Sequence, residues 1–584
     1  MRPSASSVSS RDRATPPRIY FIPFPTPGHA LPMSDLARLF ASRGADATLV
    51  LTRANAARLG GPVARAAAAG LRIRIHALTL PAEAAGLTGG HESADDLPNR
   101  ELAGPFAVAV DLLAPLFADL LRTQRPAADA VVFDGVLPWA ATAAPELAIP
   151  RYAFTGTGCF ALSVQRALLL HSPQNGVASE TEPFLVPGLP DAVRLTKSRL
   201  AEATLPGADS REFLNRMIDA ESATAGWVVN SFADLEQRYI EHYEKATGKP
   251  VFAVGPVCLV NGDGDDTMER GRGEEAAAEA VRVLEWLDTK PARSVVYVCF
   301  GSLTRFPSEQ VAELGMGLAD SGANFVWVVG DKNINAPPQM PEIDDAAGRG
   351  LVVRGWAPQV AVLRHEAVGA FVTHCGWGAV TEAAAAGVPV VTWPVFAEQF
   401  YNEALVVGIA GVGVTMGAER GYVWGGEATG GVVVGREVVA ERVRSALADE
   451  VLRRRAGEIR ERARRAVEAG GSSYEAFAPL RGRQRSPAHS PVDPRLSLTE
   501  HWASGRGMSP VNGLDVYLVS DRRRVLGGMG GSSAAPGKGP AMCPPQQAAS
   551  KVATHPPRRS GGREALTPPS CEHLRHGRMR SKQP

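Results

Sequence analysis

The segment Trp356–Gln399 has the sequence WAPQVAVLRHEAVGAFVTHCGWGAVTEAAAAGVPVVTWPVFAEQ, and its pattern decides the fold. Two short apolar runs, Gly369–Thr373 and Val388–Trp393, flank a glycine-rich turn and an alanine-rich stretch that begins at Ala379. Short apolar runs that alternate with helix-forming segments indicate βαβ units and a parallel sheet. We therefore predict an α/β fold, in which ligands bind at the carboxyl ends of the strands.

The same alternation extends over most of the chain and predicts two series of elements. The first series has strands at Ile19–Phe24, Ala47–Leu51, Leu71–Ala77, Ala130–Phe133 and Arg151–Phe154, with helices at Pro32–Ser42, Pro105–Leu121 and Ala140–Leu147. The second has strands at Ser294–Phe300, Phe325–Val329, Leu351–Arg354, Gly369–Thr373 and Val388–Trp393, with helices at Ser308–Asp320 and Val438–Ala469 and from Pro358, Ala379 and Ala397. We predict two tandem Rossmann-like domains that face each other across a cleft.

Composition shifts set the predicted boundaries. The first domain covers residues 18–256 and the second 293–480, and the segment 257–292 is a linker whose Gly/Asp/Glu-rich part predicts flexibility. Residues 1–17 have no apolar core of a secretory signal and are expected to be a disordered leader. Residues 481–584 are rich in Arg, Pro, Ser and Gly and are expected to be a disordered or aberrant tail.

Charge and cysteine content exclude several function classes. The 584-residue chain has 45% hydrophobic residues, 21% charged residues and a net charge of +1, which argues against binding nucleic acid or an acidic membrane surface. Its six cysteines form no CxxC pair, so we predict no metal site, no disulfide framework and a reducing, cytoplasmic location. Uncharged runs such as Ala404–Ala418 are too short to predict a membrane span.

Polar and aromatic residues follow the strands of the second series. Trp356 follows one strand, where an indole can stack on a nucleobase. The turn His374–Gly378 opens a helix whose N–H groups can bind a pyrophosphate. Glu382, one turn further, can accept hydrogen bonds from a ribose, and Glu398 and Gln399 can bind polyols. Each residue alone has an ordinary structural explanation, and their joint order favours a nucleotide-sugar site.

This segment resembles, without gaps, the signature box of the plant secondary-product UDP-glycosyltransferases, and the resemblance extends over most of residues 18–478. It implies a GT-B fold whose first domain binds the acceptor and whose second binds the UDP-sugar, with a glucose preference because the box ends in Gln399. The donor-binding residues it implies are Ser302, Trp356, Ala357, Gln359, His374, Gly376, Trp377, Gly378, Ala379, Glu382, Glu398 and Gln399. Of these, Trp356 would stack on uracil, His374 would contact the phosphates, and Trp377 would lie near the sugar.

Two positions depart from the family pattern. Gly378 and Ala379 stand where the family usually has Asn and Ser. A serine hydroxyl would serve the α-phosphate, and its loss would cost about 1–2 kcal/mol. We expect weaker donor binding or a shifted donor preference.

His29 and Asp134 are the candidate catalytic pair. His29 follows the first strand in the sequence Pro25–Pro32, and an imidazole at that edge can take a proton from a hydroxyl at neutral pH. Asp134 directly follows three apolar residues, where an unpaired acid is costly to bury, so a partner is expected. The structural alternatives are a loop histidine and a helix cap; the resemblance, which has the same His and Asp, favours catalysis.

The resemblance implies an inverting, metal-independent transfer of a sugar from UDP-glucose to a hydroxyl of a flavonoid, phenolic or terpenoid. No cofactor is expected beyond this co-substrate, and the protein is expected to be a monomer. The predicted acceptor contacts are Thr155, Phe160 and Phe106.

Two other functions remain open at this point. Gly156–Ala161 fits GxGxxA after a strand, a weak motif of NAD(P)-dependent oxidoreductases. A non-catalytic UDP-sugar or metabolite binder is also possible, because Gly378 and Ala379 are unusual. The family's C-terminal helix, which crosses back onto the first domain, is expected to be missing after Pro479.

Overall fold

The computed structural model describes residues 15–201, 216, 217, 219–261, 273–330, 348–421 and 433–477. Nearly all of the expected leader, the linker residues 262–272 and the whole tail 481–584 lie outside these ranges. Two parallel sheets, each surrounded by helices, account for the described part of the chain.

The first sheet is formed by the N-terminal half. Its seven strands are β1 (Arg18–Ile22), β2 (Asp46–Thr52), β3 (Ile73–Leu78), β4 (Ala130–Asp134), β5 (Arg151–Thr155), β8 (Gly226–Val229) and β9 (Val251–Ala253), in the order β3-β2-β1-β4-β5-β8-β9. All neighbouring pairs are parallel. The remaining strands of this half, β6 (Phe184–Leu185) and β7 (Arg194–Leu195), form a short antiparallel pair.

Helices cover both faces of this sheet. They are α1 (Pro27–Ser42), α2 (Arg53–Ala68), α3 (Ala103–Asp111), α4 (Leu113–Thr123), α5 (Cys159–His171) and α6 (Ala233–Thr247). Successive side chains of β1 point to opposite faces of the sheet. Ile19 and Phe21 pack in the core that contains α1, and Tyr20 and Ile22 pack in the core that contains α3. The sheet is therefore buried on both faces, as parallel sheets are.

The second sheet has six strands. They are β10 (Val295–Cys299), β11 (Asn324–Val329), β12 (Gly350–Arg354), β13 (Val368–Thr373), β14 (Val390–Thr392) and β15 (Gly413–Thr415), in the order β12-β11-β10-β13-β14-β15. Its helices are α7 (Gly273–Asp288), α8 (Ser308–Asp320), α9 (Gln359–Arg364), α10 (Trp377–Ala386), α11 (Gln399–Glu403), α12 (Arg436–Ala448) and α13 (Glu450–Val467). The predicted α/β class and the two Rossmann-like domains are confirmed.

One predicted helix was wrong, and the structure adds detail to two other predicted segments. The predicted helix Ala140–Leu147 is two 3₁₀ turns, Pro138–Ala141 and Pro145–Leu147, because Pro145 cannot continue a helix begun before it. The predicted linker 257–292 contains α7. The predicted helix Val438–Ala469 is two helices, α12 and α13, with Asp449 as N-cap of the second.

The stretch Ala103–Thr123 contains Asp111, Asp119 and Arg122 and is therefore not one of the uncharged runs considered above, but an 18-residue window of it has a mean hydropathy of 1.6 and is by length and composition apolar enough to cross a membrane. Half of that window is buried in the structure. Two helices, α3 and α4, divide it at Leu112, and Phe106 and Phe117 pack in the core of the first domain. These contacts account for its apolar character.

The end of the described chain, residues 472–477, crosses back onto the first domain. The expectation that the crossing helix is missing was therefore wrong. A short helix, α14 (Ser472–Ala476), follows α13 and packs near β9. The Ser473 hydroxyl donates to the Gly255 carbonyl at 2.7 Å, and the Phe477 ring lies 4.3 Å from that of Phe40 in α1. Arg43 stacks over Tyr474 at 4.1 Å. All of these contacts are made by residues before Pro479.

We predict that Phe477→Ala lowers the free energy of unfolding by about 3 kcal/mol, because it leaves a cavity against Phe40. Phe477 is only 2% exposed, so little of this loss can be recovered by solvation. Denaturant unfolding monitored by circular dichroism measures the change. Val451→Ala is the control, since Val451 is 52% exposed and should be nearly neutral. Equal midpoints for the two variants would show that the C-terminal return does not stabilise the fold.

Candidate active site

A cavity of about 1050 Å³ lies between the carboxyl ends of the two sheets. Residues of both domains line it, including the turns after β1, β4 and β5 and those after β10, β12, β13 and β14. Of the predicted site residues, every one except Phe160 lines this cavity. The structure therefore brings the predicted catalytic pair and the predicted donor residues to one place.

His29 and Asp134 are in direct contact. The Nδ1 atom of His29 lies 2.8 Å from Oδ2 of Asp134. Strands β1 and β4 are paired with Ile22 opposite Phe133, so the residues that follow both strands meet at one edge. His29 lies in the first turn of α1, which starts at that edge. Since Nδ1 is engaged, Nε2 is the nitrogen that remains for a substrate.

Backbone donors hold the Asp134 carboxylate in place. Phe24 N–H donates to Oδ2 at 3.1 Å and Val136 N–H donates to Oδ1 at 3.2 Å. The Asp134 side chain is 1% exposed, whereas that of His29 is 29% exposed. The carboxylate is thus a fixed, buried partner, and the imidazole faces the cavity.

The environment raises the pKa of His29 above its ordinary value of 6.5. Burial alone lowers the pKa of this imidazole, but the charge of Asp134, its hydrogen bond and the charge of Glu398 together outweigh that effect. Glu398 belongs to the second domain, so the electrostatic environment of the imidazole depends on both halves of the cleft. The pKa of Glu398 is itself raised by burial, with the charge of His29 acting against that rise.

His374 lies between two glycines. A Cβ at Gly301 would be 2.8 Å from its Cε1 atom, and a Cβ at Gly376 would be 2.5 Å from its Nε2 atom. Burial lowers the pKa of His374 to about 4, and a backbone hydrogen bond with Cys299 only partly offsets this. At neutral pH the ring is therefore an uncharged hydrogen-bonding group, not a cation.

The helix α10 begins in the cavity. Trp377, Gly378 and Ala379 are its first three residues, and their backbone N–H groups precede the first intrahelical hydrogen bonds. A Cβ at Gly378 would meet no atom within 4 Å, so this turn is open to a ligand. Such an N-terminus is a suitable site for a diphosphate.

The residues predicted to bind the nucleoside lie together. Trp356 and Ala357 follow β12, and Gln359 begins α9. The Gln359 amide donates to Oε2 of Glu382 at 2.7 Å, which links α9 to α10. An indole beside a carboxylate–amide pair can stack on a base and bind a ribose diol.

The predicted sugar contacts differ in accessibility. Glu398 is half-buried, and Gln399 is 3% exposed. The Oε1 atom of Gln399 accepts hydrogen bonds from the N–H groups of Val395 and Phe396 at 2.8 and 3.0 Å. Its oxygen therefore fixes the loop after β14, and only the amide nitrogen is left for a ligand. Ser302 is half-buried in the turn after β10.

Trp377 connects the two domains, which refines its predicted position near the sugar. Its indole is 2% exposed and donates from Nε1 to the Asn230 carbonyl at 2.8 Å, across the domain boundary. A Cβ at Gly158 would be 2.6 Å from Cζ2 of Trp377 and 2.6 Å from Oε1 of Glu236. The turn after β5 thus packs directly against the start of α10.

Two of the three predicted acceptor contacts lie where an acceptor could reach them. Phe106 and Thr155 line the cavity. Phe160 does not: it is fully buried and packs edge-on against Tyr239 at 4.7 Å. Its position in the first turn of α5 directs it into the core, and a single aromatic residue after a strand does not indicate which face it takes.

Sequence reasoning missed the cavity face of α5. Leu162, Gln165, Arg166 and Leu169, at spacings of three, four and seven residues, line the cavity, whereas Val164 and Leu168 are in the core. The signal was present as a helical period, but no strand end marks it. Arg305 was also missed; its guanidinium donates to the Leu97 and Pro98 carbonyls of the first domain at 3.0 and 3.2 Å.

The oxidoreductase interpretation of Gly156–Ala161 does not fit the structure. The buried Glu236 carboxylate accepts hydrogen bonds from the N–H groups of Phe160 and Cys159, at 2.7 and 3.3 Å, and so occupies the N-terminus of α5. A dinucleotide pyrophosphate would need those donors. Burial raises the pKa of Glu236 to about 7, with hydrogen bonds from Ser231, Phe160 and Cys159 opposing the rise.

Within the described ranges, no three His, Cys, Asp or Glu side chains are grouped so that they could hold a metal ion. Cys159, Cys258, Cys299 and Cys375 are free thiols. The groups that the site offers are an imidazole–carboxylate pair, a helix N-terminus, an indole and several carboxylates.

Two facing Rossmann-like domains with a base on one and a nucleotide site on the other define a GT-B glycosyltransferase. Residues 274–419 match the family model of UDP-glucoronosyl and UDP-glucosyl transferase. The chain is 41% identical over 475 residues to UDP-glucose flavonoid 3-O-glucosyltransferase 7 of Fragaria ananassa, covering 80% of this chain and 95% of the relative. Scopoletin glucosyltransferase of Nicotiana tabacum is 39% identical, with coverages of 79% and 96%.

Solved structures agree with these sequence relatives. Glycyrrhiza uralensis UGT73P12, complexed with glycyrrhetinic acid 3-O-monoglucuronide, superposes with a TM-score of 0.74 at 36% identity, over 80% of this chain and 95% of that one. Phytolacca americana UGT2, complexed with UDP-2fluoro-glucose and pterostilbene, has a TM-score of 0.62 at 25% identity, with coverages of 80% and 98%. The chain belongs to the plant UDP-glycosyltransferase family and is a UDP-glycosyltransferase.

We predict that Asp134→Asn lowers kcat/KM by about 10²–10⁴-fold and moves its acidic limb to lower pH. A general base must be neutral, so activity falls as pH drops through the raised pKa of His29. Removing the Asp134 charge lowers that pKa, and the remaining activity persists to lower pH. Steady-state pH profiles measure both effects.

Asp129→Asn is the matched control, because Asp129 precedes the same strand but only accepts from the Arg18 backbone N–H at the surface. It should leave the acidic limb in place. An unshifted limb in Asp134→Asn would assign the titration to another group.

Proposed function

We propose that the protein transfers glucose from UDP-glucose to a hydroxyl group of a small apolar acceptor such as a flavonoid, another phenolic or a terpenoid. The observation that carries this proposal is the His29–Asp134 pair, 2.8 Å apart, which faces the cavity shared with the start of α10. The glucosyltransferase names of relatives about 40% identical over nearly their whole length support the donor and the acceptor class.

The second domain holds the donor. Trp356 stacks on the uracil, Gln359 contacts the nucleoside and Glu382 accepts hydrogen bonds from the ribose. The diphosphate lies at the N-terminus of α10, where Gly376 and Gly378 let the backbone approach and Ser302 adds a hydroxyl. Glu398 and the Gln399 amide nitrogen bind the glucose hydroxyls.

The transfer is a single displacement. Nε2 of His29 removes the proton from the acceptor hydroxyl while Asp134 stabilises the imidazolium that forms. The acceptor oxygen forms its bond to the anomeric carbon as the bond from that carbon to UDP breaks, and the electron pair leaves with UDP. Attack from the opposite side inverts the anomeric configuration, and no step uses a metal ion.

The new negative charge on UDP is stabilised by the N–H groups of α10 and by His374 as a neutral donor. The free protein keeps this imidazole uncharged at pH 7, since burial lowers its pKa to about 4. Preorganised donors of this kind lower the barrier because they need no reorganisation during the reaction. We further propose a monomeric, cytoplasmic enzyme that requires no cofactor.

His29→Ala tests the enzymatic proposal. We expect UDP release from UDP-glucose with a flavonol panel to fall by about 10²–10⁴-fold, the range of general-base catalysis. Mass spectrometry of the products identifies the glucosides, and UDP binding by calorimetry should remain unchanged because His29 is not in the donor domain. Undiminished UDP release in His29→Ala would remove His29 as the base. Absence of UDP release from the wild-type protein with every acceptor would instead favour a UDP-sugar-binding protein, the function that Gly378 and Ala379 motivate.

Ala379→Ser restores the hydroxyl that the family pattern has at the start of α10. One hydrogen bond to the diphosphate contributes about 1 kcal/mol, so we expect KM for UDP-glucose to fall about fivefold. Ala386→Ser, at the other end of the same helix, is the control and should leave KM unchanged. If both variants gave the same KM, residue 379 would not contact the donor.

A further inference from the structure

The inner part of the cavity contains an ion pair that the proposed reaction does not use. Arg166 lies 3.2 Å from Oε1 of Glu221, and both residues line the same cavity as His29. Their side chains are 13% and 18% exposed. Charged residues with so little exposure are unusual in a chamber for apolar molecules, because removing ions from water is costly.

The pair is fixed by the surrounding protein. The Arg166 guanidinium also donates to the Ala246 carbonyl at the end of α6, at 3.0 Å. Glu221 is faced by Arg166 and Lys249, and burial raises the pKa of its carboxyl, while these two cations oppose the rise. The aromatic rings of Trp227 and Tyr243, 5.4 Å apart, form apolar walls beside it.

The pair is separated from the reacting centre along α5. That helix begins at Cys159, just after Gly156, where a Cβ would lie 3.4 Å from Cε1 of His29. Arg166 is seven residues further, which corresponds to about 10 Å along the helix. Leu162 lies between the two ends and lines the cavity. An acceptor that fills this length therefore has its second end beside Arg166 and Glu221.

We propose that the Arg166–Glu221 pair binds a second hydroxyl group of the acceptor, at the end remote from the hydroxyl that is glucosylated. A hydroxyl fits both partners, because it can donate to the Glu221 carboxylate and accept from the Arg166 guanidinium. A carboxylate would be repelled by Glu221, and a purely apolar end would displace water from the pair without offering it a hydrogen bond. The preferred acceptor is thus a polyhydroxylated molecule with polar groups about 10 Å apart. This inference rests on the proposed function.

Two flavonols that are identical except for one hydroxyl on the ring farthest from the glucosylated position test the proposal. We expect kcat/KM to be about 10- to 100-fold higher for the hydroxylated compound, the range for hydrogen bonds to charged groups. In the double variant Arg166→Leu/Glu221→Leu this ratio should fall to about one. The double replacement is used because either single change would leave a buried unpaired charge.

Arg122→Leu/Glu146→Leu is the matched control. This pair lies 2.6 Å apart in the same domain, is about half exposed and does not line the cavity, so the ratio should remain as in the wild-type protein. Calorimetric binding of UDP checks that each variant is folded.

The possible outcomes distinguish failure of this inference from failure of the proposed function. If the wild-type protein glucosylates neither flavonol nor any other hydroxylated acceptor, the proposed function fails. If it glucosylates both with equal kcat/KM, or if the double variant keeps the wild-type ratio, the Arg166–Glu221 assignment is overturned while the function stands. Preference for a carboxylate at the same position would also overturn it.

Discussion

The turn Gly156–Gly158 at the end of β5 sets the distance between the two halves of the site. On one side, Gly156 lies against the His29 imidazole; on the other, Gly158 lies against the Trp377 indole at the first position of α10. A side chain at Gly158 would collide with both Trp377 and the buried Glu236 carboxylate. Protein interiors transmit such small displacements because they are closely packed. His29 and the start of α10 are therefore placed through one shared turn, although they belong to different domains.

Further contacts reinforce this placement. Asn230 accepts from the Trp377 indole with its carbonyl and donates from its amide to the Thr381 hydroxyl at 3.4 Å, while its Oδ1 accepts from Val257 N–H at 2.9 Å. Asn230, which directly follows β8, thus connects the first domain to the segment at Val257 and to α10. Arg305 of the second domain also connects the two halves, because its guanidinium donates to the Leu97 carbonyl of the first domain. These hydrogen bonds fix the relative positions of the groups that line the cleft. A displacement reaction needs such fixed positions, because a misplacement of about 1 Å can cost about 10²-fold in rate.

The residues that follow the strands could be predicted from the sequence, whereas the side chains that a helix face brings together could not. His29 and Asp134 are 105 residues apart, yet both follow buried strands of a parallel sheet, so the topology alone places them at one edge. The helix Ser308–Asp320 was predicted to the residue because its apolar period is regular. Strand β8 has only four residues and was missed. Arg166 and Glu221 follow no strand end, and their pairing across 55 residues depends on how a helix face packs. Phe160 was misplaced for the same reason.

The charges around the cavity bear on the role of the glycines at the start of α10. Each arginine that lines the described cavity is engaged by the protein itself: Arg58 with Asp95 at 3.0 Å, Arg166 with Glu221, and Arg305 with backbone carbonyls. His374 is neutral at pH 7. Of the described groups in this cavity, the oriented N–H dipoles at the start of α10 are therefore the ones best suited to a diphosphate, and they act only at short range. The turn has room for such an approach: a Cβ at Gly376 would lie 2.5 Å from Nε2 of His374, so that position has to be glycine, whereas a Cβ at Gly378 would meet no atom within 4 Å.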